Sequence, residues 1–128
     1  MATQKIELSR LEPGLAAALL VGCERLDPSG MFCAADLLPM TQAGQCFAAT
    51  ADHAQAVYVV QVKNGVAWIS AAKGTGPIDW SAVLLPTIEA QSAGAASVAF
   101  QTARRGLVRK AQKQGYEVTG WIMKKHLQ

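Results

Sequence analysis

Apolar positions recur along this chain with two different periods, and the changes of period divide it into elements. Ile6 and Leu8 alternate with polar neighbours over Gln4 to Leu8, which predicts a short first strand, with Ser9 placed to cap a helix over about Leu11 to Arg25. Glu12 and Pro13 suit that helix's first turn, and Leu15, Leu19, Leu20 and Cys23 fall on one face. Asp27, Pro28, Ser29 and Gly30 stop it, and a second short helix or turn covers Ala34 to Leu38 ahead of Pro39. From Gly44 the pattern becomes strand-like. Gln45 to Thr50, Ala56 to Val62 and Gly65 to Ala71 are three β-rich runs, with turns at Asp52-His53 and Lys63-Asn64-Gly65. An Asn-Gly between two such runs is a strong hairpin signal, so an antiparallel meander is expected at the centre of the fold.

The second half returns to mixed periods. Trp80, Val83, Leu84, Ile88 and Gln91 line one helical face, with Asp79 as cap and Gly94 as stop; Pro86 within it predicts either a kink or a start near Leu85. Ser97 to Gln101 reads as a strand, Gly106 to Gln114 as a basic helix closed by Gly115, and Glu117 to Met123 as a last strand. The expected fold class is α/β: one domain over residues 1–128, with a mixed, mainly antiparallel sheet flanked by helices on both faces.

Candidate chemistry centres on Val66 to Gly76. A β-prone run that ends in Lys73-Gly74-Thr75-Gly76 and then opens a helix is a candidate anion cradle, because glycine backbone and a helix N-terminus both favour phosphate. Two glycines in a loop are more often a turn alone. The net charge of +3 is mild, but Arg104, Arg105, Arg109, Lys110, Lys113, Lys124 and Lys125 all lie in the last quarter of the chain. That cluster suits nucleic acid, a membrane surface or a polyphosphate ligand, and equally a solvated helix face with a basic tail. Nucleic acid is disfavoured, since only Tyr116 and Trp121 interleave with the charges and no recognition motif is present. The three cysteines, Cys23, Cys33 and Cys46, have neither disulfide-framework nor zinc spacing, and no metal site is expected. Cys46 and His53 have no spacing that would orient a nucleophile and base. The longest apolar run, Leu15 to Val21, is too short to span a bilayer and the N-terminus is unlike a signal peptide, which predicts a cytoplasmic protein that does not contact membranes.

Two stretches resemble the GNAT (N-acetyltransferase) superfamily. Lys73-Gly74-Thr75-Gly76, after a strand and before a helix, resembles the acyl-CoA pyrophosphate loop, usually Gln or Arg followed by G-x-G-x-Gly or Ala. Arg109 to Trp121 resembles the family's closing helix and strand, L-Y-x-x-x-G-F-x-x-x-G, matching at Gly115, Tyr116 and Gly120. Kinship with short members encoded by phages or prophages is suggested by Thr102-Ala-Arg-Arg-Gly-Leu107. The resemblance implies acetyl-CoA or another acyl-CoA as cofactor, held by Ala72, Lys73, Gly74, Thr75 and Gly76 with Arg104 and Arg105. It implies an amine on a small molecule or protein as acceptor. An exposed apolar edge including Trp68, Trp80 or Trp121 would mark a homodimer or partner surface.

The departures from the family pattern bear on activity. The family's proton-donating Tyr falls at Ala111, its Asn falls near Arg104, and Pro77 removes an N–H within the loop. Asp79 brings a carboxylate close to the expected pyrophosphate, and Val66 to Ala72 holds no carboxylate base. Ser70 and Tyr116 are the remaining catalytic candidates, Tyr116 at a position the family fills with a core Phe. The resemblance is compatible with two functions: an acyl-CoA-dependent N-acyltransferase, or a non-catalytic binding or assembly module on the same fold.

Overall fold

Asn64 and Gly65 take positive φ angles of 52° and 77°. This is the backbone that a two-residue hairpin demands and that Asn and Gly adopt at least cost. In the computed structural model, which describes residues 5–23 and 33–127, that turn joins β3 (Ala54–Lys63) to β4 (Val66–Thr75). Asp52 and His53 similarly join β2 (Gln45–Ala51) to β3. β1 (Glu7–Leu11) lies antiparallel to β2 on the far side, so the expected meander is present. β5 (Ser97–Ala99) adds in parallel to β4, giving a five-stranded sheet in the order β1-β2-β3-β4-β5.

Helices cover both faces. α1 (Pro13–Leu19) and α2 (Leu37–Ala43) share one hydrophobic cluster with the sheet, in which Ala16, Leu20 and Leu37 meet Cys46, Val57, Val59 and Ala71. α3 (Trp80–Gln91) packs on the opposite face, where Leu84 and Ile88 meet Ala49, Ala56, Tyr58, Val60 and Ala67. α4 (Arg105–Lys113) lies against α3. The alternation of Val57 and Val59 with Ala56, Tyr58 and Val60 along β3 explains how one strand serves two cores.

The pairing of β4 with β3 contains one irregularity. Val59 pairs with Ala71 while its neighbour Val60 pairs with Ile69, leaving Ser70 as an extra residue. An extra residue reverses the inside–outside phase of everything beyond it. Ala67 and Ile69 accordingly face α3, whereas Ala71 faces α1 and α2.

Several expected boundaries are corrected. Ser9 is not a helix cap but a β1 residue paired with Ala48; Glu12 caps α1, its carboxylate accepting from the Leu15 amide at 3.3 Å. Leu15 is exposed, and Ala16, Leu20 and Cys23 form the buried stripe. The expected helix end at Arg25 and stop at Asp27 to Gly30 lie outside the described residues, as does Gln4. α2 runs through Pro39, which sits in its first turn where no N–H is needed, after a single 3-10 turn at Ala34–Asp36. α3 starts at Trp80 and continues through Pro86; Ala82, whose carbonyl loses its partner, and Pro86 both face solvent. β5 stops at Ala99, short of Gln101, and 117–123 forms no strand.

Candidate functional site

The sequence pattern places Lys73, Gly74 and Thr75 in a loop after the third strand of the meander. They are instead the last residues of β4, paired with Val57, Ala56 and Gln55 of β3. On its other side β4 is paired with β5 only at Val66, Ala67 and Trp68. From Ile69 to Thr75, therefore, one side of β4 has no strand beside it among the described residues. The bulge at Ser70 lies next to the point where this open side begins, and a bulge adds local twist to its strand. A cleft of about 1260 Å³ opens beside this part of β4, lined by Ile69 to Gly74, by Ile78 to Ser81 with Leu84, Leu85 and Ile88, and by Phe100, Thr102, Arg104, Leu107 and Lys110.

The phase reversal at Ser70 sets which β4 side chains point where. Lys73 falls on the α1 side and donates to the Val21 carbonyl at 2.7 Å, next to the end of that helix, where a cation is favoured. Gly74 falls on the α3 side, directly under Trp80. A methyl group at Gly74 would collide with the indole, whose Nε1 donates to the Thr75 carbonyl at 2.9 Å and ties the start of α3 to the end of β4. Gly76 has φ of 90°, and a methyl there would run into the His53 carbonyl and Ala54. These glycines make room for Trp80 and for the β2–β3 turn, a packing role that the sequence pattern does not separate from a phosphate cradle.

Charge at the mouth of the cleft is mixed. Asp79, ahead of α3, accepts from the Ser81 hydroxyl at 2.6 Å and pairs with Lys110 at 3.3 Å. The Ser81 hydrogen bond, with help from Lys110, holds the Asp79 carboxyl below the usual range. Asp36 reaches the cleft from the 3-10 turn, its carboxylate accepting from the Cys33 amide at 2.8 Å, which lowers its pKa too. Carboxylates held ionised in this way are weak bases.

Of the residues singled out from the sequence, Ser70, Ala72, Lys73, Gly74, Gly76 and Arg104 line this cleft. Thr75 and Arg105 do not. The Thr75 hydroxyl donates to the Gln55 carbonyl at 3.2 Å, and Arg105 is exposed at the start of α4. Tyr116 lies away from the lining, edge-on to Phe100, with its hydroxyl donating to Glu89 at 2.8 Å; partial burial and that carboxylate push its pKa up. Ala111 is only 3% exposed, on the inner side of α4, while Leu107 and Lys110 face the cleft. Lys110 comes from the basic cluster offered to a polyphosphate ligand; the residues missed were Asp36, Trp80 and Phe100. Trp80 alone had a signal, a large aromatic just past a Gly-x-Gly. Among the described residues no cluster could hold a metal ion, and no helix is long and apolar enough to cross a membrane.

No protein-family model and no curated protein matches this chain. A similar solved structure is that of AAC(6')-Iy in complex with the bisubstrate analog CoA-S-monomethyl-acetylneamine, with a TM-score of 0.56, 16% identity and coverage of 97% of this chain and 99% of that one. At that identity the likeness establishes the fold, and the GNAT-like architecture expected from the sequence is the one found.

Proposed function

We propose that the cleft between β4 and α4 binds an acyl-CoA and that the protein transfers the acyl group to an amine. The observation that carries this is the open side of β4 from Ile69 to Gly74, which leaves backbone donors and acceptors facing the cleft. A pantetheine arm, an extended chain with two amides, can lie along such an edge as an added strand would. Lys73, Arg104 and Lys110 supply cations for the phosphates. The fold shared with a protein solved with a CoA-linked bisubstrate analog supports the same ligand class.

In this reading an N–H on the open side of β4 polarises the thioester carbonyl. The amine nitrogen attacks, a C–N bond forms and the C–S bond breaks. The proton lost by the amine ends on the CoA thiolate. Solvent carries it, because the Tyr116 hydroxyl is committed to Glu89 and Ala111 cannot donate. Asp36 and Asp79 favour an acceptor, small molecule or protein, that carries positive charge elsewhere than on the neutral amine that attacks. The phage or prophage kinship has its support in the Thr102 to Leu107 passage.

A second reading, a cleft that binds acyl-CoA without transferring it, is favoured by the same engaged Tyr116 and low-pKa carboxylates. Thermal unfolding with acetyl-CoA, desulfo-CoA and ATP tests the ligand. At a hundredfold excess over Kd the gain is about 2.7 kcal/mol, or roughly 10 °C for a chain of this length. A saturable shift with both CoA species, reduced in Lys73→Ala and Arg104→Ala, is expected; no shift at millimolar CoA overturns both readings. Thiol release with a panel of amines then separates transfer from binding alone.

A further inference from the structure

A second pocket, of about 770 Å³, lies at the C-terminal end of α3. It exists because β2 begins at Gln45, opposite Val60, while β3 continues to Lys63. Past Val60, β3 has no strand beside it on the β2 side among the described residues. Gln91, the last residue of α3, and Gly94, in the turn after it, close the pocket over Gln45, Phe47 and Val62. Arg10 stands opposite Phe47 across the β1–β2 ladder and so shares its face of the sheet. The pocket meets the cleft at Gln61 and is otherwise lined by different residues.

The chemistry of this lining is one-sided. It holds one charged side chain, Arg10, which makes no ion pair among the described residues, and it contains no carboxylate, unlike the cleft with its Asp36 and Asp79. Gln91 accepts from the Tyr58 hydroxyl at 2.7 Å through Oε1, which leaves the two N–H donors of its amide without a protein acceptor among the described residues. The floor is apolar. Phe47 stacks on Tyr58 with ring centroids 5.4 Å apart and planes 26° from parallel, and Tyr58 is wholly buried, so the Phe47 ring is held in place. Val62, 61% exposed, extends that floor.

We propose that this pocket binds a small aromatic carboxylate, with its ring on Phe47 and Val62 and its carboxylate on the Arg10 guanidinium. A planar guanidinium meets a carboxylate through two parallel hydrogen bonds, and the free amide donors of Gln91 suit a further oxygen on the same ligand. A ring laid on Phe47 continues the stack that Tyr58 begins. The volume is that of a site for one small molecule, which runs from about 300 to 1,000 Å³. The proposal is independent of any acyl-CoA in the cleft.

Nuclear magnetic resonance titration of the full chain with naphthoate, and with the neutral naphthamide beside it, tests the site. Saturable shifts are expected for the amides of Arg10, Phe47 and Val62 and for the Gln91 side chain, with Gly74 and the Trp80 indole unmoved. Naphthamide should bind about 10-fold or more weakly, and Arg10→Gln should weaken naphthoate by about as much, because hydrogen bonds between charged groups are the stronger kind. That variant keeps the fold, since Arg10 is exposed. No saturable shift at millimolar naphthoate overturns the proposal. So do equal affinities for the two compounds, unchanged binding by Arg10→Gln, or shifts that map to the cleft instead.

Discussion

Asp79 stands where a diphosphate would have to approach, and replacing it tests both the site and the sign of its electrostatics. The carboxylate is 3.3 Å from the Lys110 ammonium, with about half of each side chain open to water. A phosphate that engages Lys110 comes within about 6 Å of Asp79, where two unit charges repel by roughly 0.7 kcal/mol in bulk water and about 2.8 kcal/mol at an effective dielectric constant of 20. Exposure favours the lower end. Asp79→Asn should therefore bind acetyl-CoA about 3- to 10-fold more tightly by titration calorimetry. The substitution should cost little stability, because the Asp79 side chain makes no capping bond to α3 and an exposed ion pair contributes about 0.2 to 1 kcal/mol. In 1 M salt, where screening acts over about 3 Å, the advantage should vanish. Equal or weaker binding by the variant at low salt would refute the placement of the phosphates at Lys110.

Two further outcomes are expected. Gly76→Ala forces a side chain into a positive φ and against the β2–β3 turn, at a combined cost of about 2 to 5 kcal/mol; scanning calorimetry should show a fall in Tm of roughly 8 °C or more. The pKa of Asp36 is lowered in the folded chain by the Cys33 amide, so its contribution is present above the unfolded carboxyl value and is lost as pH falls through the folded one. The Tm difference between the wild type and Asp36→Asn should hold steady near neutrality and close below about pH 4; a gap unchanged in acid would mean that this hydrogen bond contributes nothing to stability.

The local signals carried the topology and missed the places where distant pairing overrides them. Asn64-Gly65 fixed a hairpin by backbone preference alone, and the register of β3 agrees with its alternation. Lys73-Gly74-Thr75 has the composition of a loop and is a strand because Gln55, Ala56 and Val57 lie beside it, about twenty residues away in sequence. The bulge at Ser70 has no composition of its own, yet it sends Lys73 toward α1 and Gly74 toward Trp80. Glu117 to Met123 shows the converse: it has strand character and forms no strand. The cleft was half legible for the same reason. Its β4 wall is contiguous in sequence, whereas Asp36, Phe100 and Lys110 arrive from three other elements.

The indole of Trp80 rests on the backbone of Gly74 at the cleft wall, with its N–H held by a main-chain oxygen. Its fluorescence is thus set by the polarity and relaxation of one spot. The protein's other two tryptophans are Trp68, 39% exposed at the rim of the same cleft, and Trp121, 86% exposed. With those two changed to phenylalanine, the remaining emission maximum and its quenching by iodide become an optical readout of whether the groove is filled, free of any dye or tag.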